Sequence, residues 1–156
     1  MNGSLGVAAG LGAVTGLRSM QAVAWVAREL SDRRSRFRRP PRLEAWLGQD
    51  AVAGVLGVMA AGELLADKLP GLPARVQPGP LFGRQAIGAL VGAVAAGEDA
   101  RWAGALVGAG AALVATYVGW FLRREVVRAT GLPDAAVALV EDSIAVSAAR
   151  ELVAEL

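Results

Sequence analysis

The sequence predicts an all-α integral membrane protein: a bundle of four to five transmembrane or re-entrant helices with an echo of an internal inverted repeat. Three observations carry this. The 156-residue chain is 54% hydrophobic before its 20 Gly are counted, which makes it about two-thirds apolar, against roughly 45–50% for a soluble domain. Its apolar residues gather into five segments. Charges of both signs interrupt those segments rather than only flanking them. The chain reads as one membrane domain, 1–156.

The first segment, about 5–30, has a 23-residue apolar run, Leu5–Ala27, broken only by Arg18. It is long enough to cross a bilayer, which takes about 20 residues, and Gly16 marks a place where it could be split. The N-terminus has no positive n-region and the run exceeds an h-region, so the segment is expected to remain in the mature chain. A basic loop, 31–43, follows. Six arginines fall between Arg33 and Arg42, with Pro40 and Pro41 among them. Between two apolar segments this reads as a cytoplasmic loop obeying the positive-inside rule, able to meet anionic headgroups. It does not read as a nucleic-acid site, because the net charge is only +2.

The second segment, 51–69, ends in Glu63, Asp67 and Lys68 before the rigid Leu69-Pro70-Gly71-Leu72-Pro73 turn. The third, 80–97, carries Arg84 near its start, and its Pro78-Gly79-Pro80 entry fits a broken or re-entrant helix. The fourth, 102–122, is free of charge. Trp102 stands at one end and Trp120 and Phe121 at the other, as an aromatic belt places them. The fifth, 134–153, holds Glu141 and Asp142 in its middle. With the basic loop inside, five full spans leave Arg123, Arg124 and Arg128 outside, against the positive-inside rule. A re-entrant third segment returns them inside, and the sequence leaves both arrangements open.

Small-xxx-small faces recur at Gly6/Gly10, Gly12/Gly16, Gly88/Gly92 and Gly104/Gly108. Such faces let helix backbones approach where lipid removes the hydrophobic drive to associate. The hexapeptide Gly-Ala-Leu-Val-Gly-Ala occurs at both 88–93 and 104–109, which predicts a shared packing surface between the third and fourth segments. These faces also suit a homo-oligomer.

The buried charges are the candidate site. An Arg at the centre of a membrane helix costs roughly 2.5–3.5 kcal/mol on insertion scales, so Arg18 needs a partner or a water-filled cavity. Ser19 follows it. Near a helix N-terminus the pair would favour an anion; otherwise Arg18 pins helices through an ion pair. Arg84 repeats the case closer to an interface. Glu63 and Asp67, at i and i+4, share a helix face. They need a cation or a proton, which fits coupling, a cation site or a salt bridge. Glu141 and Asp142 point about 100° apart. An arginine segment followed by an acid segment in each half is the echo of an inverted repeat. With no Cys and no His, disulfides, thiolate chemistry and His/Cys metal sites are excluded, and no cofactor is expected. A metal would need oxygen ligands.

Gly16-Leu17-Arg18-Ser19, Glu63-Leu64-Leu65-Ala66-Asp67-Lys68-Leu69-Pro70 and Leu139-Val140-Glu141-Asp142 together resemble the bacterial membrane proteins grouped as domain of unknown function 4126. The resemblance spans nearly the whole chain. It implies a small multi-pass protein of the bacterial inner membrane and marks Arg18, Glu63, Asp67, Lys68, Glu141 and Asp142 as motif positions. It implies no activity. The residues themselves support a transporter or channel-like protein that binds an anionic group (phosphate, carboxylate or lipid headgroup) through Arg18, Ser19 and Arg84, with Glu63, Asp67, Lys68, Glu141 and Asp142 as coupling or ion-pair groups. A structural or accessory subunit is the alternative. A magnesium-dependent enzyme acting on lipid phosphates is the third reading.

Overall fold

The computed structural model describes residues 4–33, 41–66 and 76–156. Among them are seven helices and no strand: α1 (Leu5–Leu17), α2 (Ser19–Arg33), α3 (Arg42–Leu47), α4 (Asp50–Ala66), α5 (Pro78–Ala96), α6 (Arg101–Thr130) and α7 (Asp134–Ala154).

The first apolar segment is not one helix. α1 starts at Ser4, whose side chain accepts from the Val7 N–H, and it ends at Arg18. That residue is extended, with φ −139° and ψ 108°, and its N–H closes on the Val14 carbonyl. α2 restarts at the next residue and runs back alongside α1. The pairings along α7 establish the reversal. Gly10 of α1 abuts Leu152, Arg18 meets Asp142, and the Arg150 guanidinium sits 5.5 Å from the centre of the Trp25 ring on α2. α1 therefore runs against α7, and α2 runs with it. Both free ends of the hairpin lie at one end of the bundle. There the Ser4 N–H meets the Ala95 carbonyl, Ser31 bonds Asp50, and Arg101 pairs with Glu44 at 2.8 Å. No proline or positive-φ residue makes the break. Groups from distant helices hold it.

From that end α4 descends beside α2, α5 returns, α6 descends and α7 returns. α5 is a continuous 19-residue helix, and Pro78 and Pro80 sit in its first turn, where no N–H is needed. The broken segment is thus the first and not the third, which forms one helix. α6 continues past the apolar stretch to Thr130, because no breaker comes before Gly131, which adopts φ 68°, and Pro133. Its basic tail is matched locally: Arg123 by Asp134 and Glu141, Arg128 by Glu125, and Arg124 by the Trp120 ring. Arg123, Arg124 and Arg128 lie at the opposite end from α3. The part of the basic loop at 34–40 falls outside the described residues, and its last positions open α3.

The centre of the bundle is a three-helix layer of small residues. A Cβ built on Gly92, Gly104 or Gly108 would come within 3.0 Å of the facing helix of the α5–α6 hairpin; one on Gly12 or Gly16 would do the same from α1 onto α6. The repeated hexapeptide makes this contact with itself in antiparallel register, with Gly88 facing Gly108 and Gly92 facing Gly104. Around the layer pack Val7, Leu11 and Val14 of α1, Val23 and Val26 of α2, Val91 and Val94 of α5 and Ala145 and Ala149 of α7.

Candidate functional site

The helix break creates two helix ends inside the protein, and each receives the charge that its dipole favours. The C-terminus of α1 carries partial negative charge and the N-terminus of α2 partial positive charge. At the first stands Arg18, fully buried. Its Nε pairs with Asp142, and its Nη2 lies 4.0 Å from Glu141 Oε2. The same oxygen is 3.5 Å from Arg123 Nη1. Glu141 thus stands between two guanidiniums, one at the tip of the hairpin and one on α6. Thr116 of α6 lies 3.1 Å from the Gly16 carbonyl at the end of α1 and 2.7 Å from its own Ala112 carbonyl, its single proton shared between them.

At the second end Glu63 spans the start of α2. The Ser19 and Met20 N–H groups donate to its two oxygens at 2.8 and 2.9 Å. These are two of the four donors that any helix leaves unsatisfied at its N-terminus. Glu63 supplies an anion there from 44 residues along the chain. The Ser19 hydroxyl also accepts from Arg84 Nε at 3.2 Å, and Arg84 is only 6% exposed although six residues into α5. Two residues along α2, the Gln21 side chain donates to the Ala60 carbonyl at 3.2 Å and ties α2 to α4.

The predicted site residues therefore converge on one turn, in two groups. Arg18 belongs with Glu141 and Asp142. Ser19 belongs with Arg84 and Glu63. Arg18 and Arg84 do not share one geometry, because the first lies in an extended break and the second inside a helix. Asp67 and Lys68 lie outside the described residues. Sequence reasoning did not single out Arg123, Thr116 or Gln21, or the Glu44–Arg101 pair, whose acid is 5% exposed. The signal for Arg123 was its place three residues past Trp120. The others carry no pattern of their own. Among the described residues no three acidic side chains gather as a metal site, because the acids are drawn to separate partners.

The family profile described as Domain of unknown function (DUF4126) matches residues 5–150. The chain belongs to this family. The match covers both the broken turn and the helix that holds its acids, so the Arg18 site lies within the family domain. No curated protein and no solved structure matches the chain.

Proposed function

We propose that this family member is a small multi-pass protein of the bacterial inner membrane, a transporter or channel-like protein whose anion site is the broken turn at Arg18–Met20. Among the described residues one helix, α6, is long and apolar enough to cross a bilayer, and only 17% of its most apolar window is buried. Trp102, Leu106, Val114 and Phe121 project outward from it. A core helix of a soluble protein hides that surface, whereas a lipid-facing helix displays it. In this reading α1–α2 is a re-entrant hairpin. Irregular backbone at membrane depth is tolerated where protein or water satisfies it, and such breaks form substrate sites in many transporters.

The single observation that carries the reading is the Glu63 carboxylate on the Ser19 and Met20 N–H groups. The turn already binds an anion, and that anion belongs to a side chain of another helix, α4. An external phosphate or carboxylate competes for the same donors, with Arg84 alongside. A proton taken up by Glu63 weakens its hold and couples proton movement to anion entry. Purified protein in liposomes is expected to move an anion down its gradient, with flux lost in Arg84→Ala and uncoupled from pH in Glu63→Gln. Failure to move or bind any of a broad set of anions and anionic lipids would end this reading.

One observation favours the structural alternative: Arg18 is enclosed with acids of the opposite half, an arrangement that fixes helix register by itself. That reading predicts that Arg18→Glu with Asp142→Arg restores folding and leaves no other defect.

A further inference from the structure

We propose that a groove between the second half of α6 and the first half of α7 binds the alkyl chain of a long-chain carboxylate, with Arg123 taking the carboxylate. The groove has a volume of about 390 Å³. A cavity of about 150 Å³ accepts benzene, so this one holds an alkyl chain of roughly a dozen carbons. Its walls come from Leu122, Val126, Leu132, Val137, Val140 and Ile144, and it reaches inward to Leu17, the residue before the break. Its charged lining consists of Arg123 and Glu141.

The occupant is named by the way Arg123 is already engaged. Its Nε and Nη2 form a two-pronged pair with both oxygens of Asp134. The Arg123 side chain is 15% exposed, whereas that of Asp134 is 63% exposed. The cation is built into the wall, and its carboxylate partner is held at the surface. An ion pair whose carboxylate stands in solvent contributes little net stability. An incoming carboxylate reproduces the same planar fork and adds the burial of its chain. Glu141, drawn toward both Arg18 and Arg123, disfavours a second anion deeper in and leaves the Asp134 position as the exchange site. An occupied groove touches Leu17 and Glu141 together, so the ligand bears directly on the hairpin tip. The inference stands apart from the anion site at Ser19 and survives if that reading fails.

The test uses the full chain in phosphatidylcholine nanodiscs and a hexadecanoate carrying a photoactivatable diazirine. Saturable labelling is expected, confined to peptides covering the wall residues of α6 and α7 and competed by unlabelled dodecanoate but not by dodecyltrimethylammonium. Val140→Trp, which fills the groove from an exposed position, and Arg123→Gln should each reduce labelling about tenfold. Asp134→Asn, which removes the competing carboxylate, should increase it. Arg123 also contacts Glu141, so Val140→Trp and Asp134→Asn decide the matter if Arg123→Gln fails to fold. Labelling that does not saturate, or that Val140→Trp leaves unchanged, or that the alkyl cation competes equally, would overturn the proposal and make the groove ordinary lipid-facing surface.

Discussion

Around Gly108 the bundle is held by the absence of side chains. Backbones of α1, α5 and α6 approach so closely that no Cβ fits. Two turns further along α6, beside Thr116, the same α1 ends in a fully buried arginine, and large charged groups from four helices meet. The first region gains stability from dispersion between closely packed surfaces. The second must offset the desolvation of each charge with a partner. The difference teaches how a short chain can bury a broken helix. The glycine layer brings α1 against α6 rigidly enough to deliver Arg18 to Asp142, and the charges then close the turn that the hydrogen-bond ladder leaves open.

The contrast is broken first at the charged end. Arg18→Ala leaves Asp142 buried without its cation, and an uncompensated buried charge costs about 3–5 kcal/mol. Loss of folded protein, or a large fall in the thermal midpoint in detergent, is expected. Next comes the glycine layer. Gly108→Ala drives a methyl into the Gly88 carbonyl, and overpacking of this kind costs about 1–3 kcal/mol. The same unfolding measurement should rank it below Arg18→Ala. Glu63→Gln keeps an acceptor at the α2 N-terminus but removes its charge. A loss of about 0.5–2 kcal/mol is expected, with amide exchange at Ser19 and Met20 faster than in the wild type. The smallest effect is on α4. A Cβ at Gly57 meets nothing within 4 Å, so Gly57→Ala should be neutral or stabilising by up to about 1 kcal/mol. Equal effects at Gly57 and Gly108 would show that composition, rather than close approach, governs the glycines.

Much of this was legible in the sequence because it rests on local pattern. α5 and α7 begin and end within two residues of the apolar segments 80–97 and 134–153, α6 outruns its segment by eight residues, and the repeated hexapeptide gave the α5–α6 contact. Arg18 stood out because an isolated charge in an apolar run demands a partner. The break was legible only as a place, Gly16, where the first segment could split; the reversal was not. Apolar residues continue on both sides of Arg18, and a single extended residue leaves no periodic trace. What stabilises the reversal is Glu63 on the N–H groups of α2 and Asp142 on Arg18, contacts spanning 44 and more than 100 residues. The same holds for Glu44 and Arg101: α3 is too short to show a period, and its acid reads as part of a charged loop until α6 is folded beside it.

The central claim is that the first apolar segment doubles back at Arg18. The chain has no Cys, so nitroxide labels on Leu5→Cys and Arg28→Cys report their separation cleanly by pulsed electron spin resonance. The hairpin predicts a distance far below the roughly 35 Å that 23 helical rises would set. A narrow distribution near 35 Å would mean one continuous helix and would contradict the account.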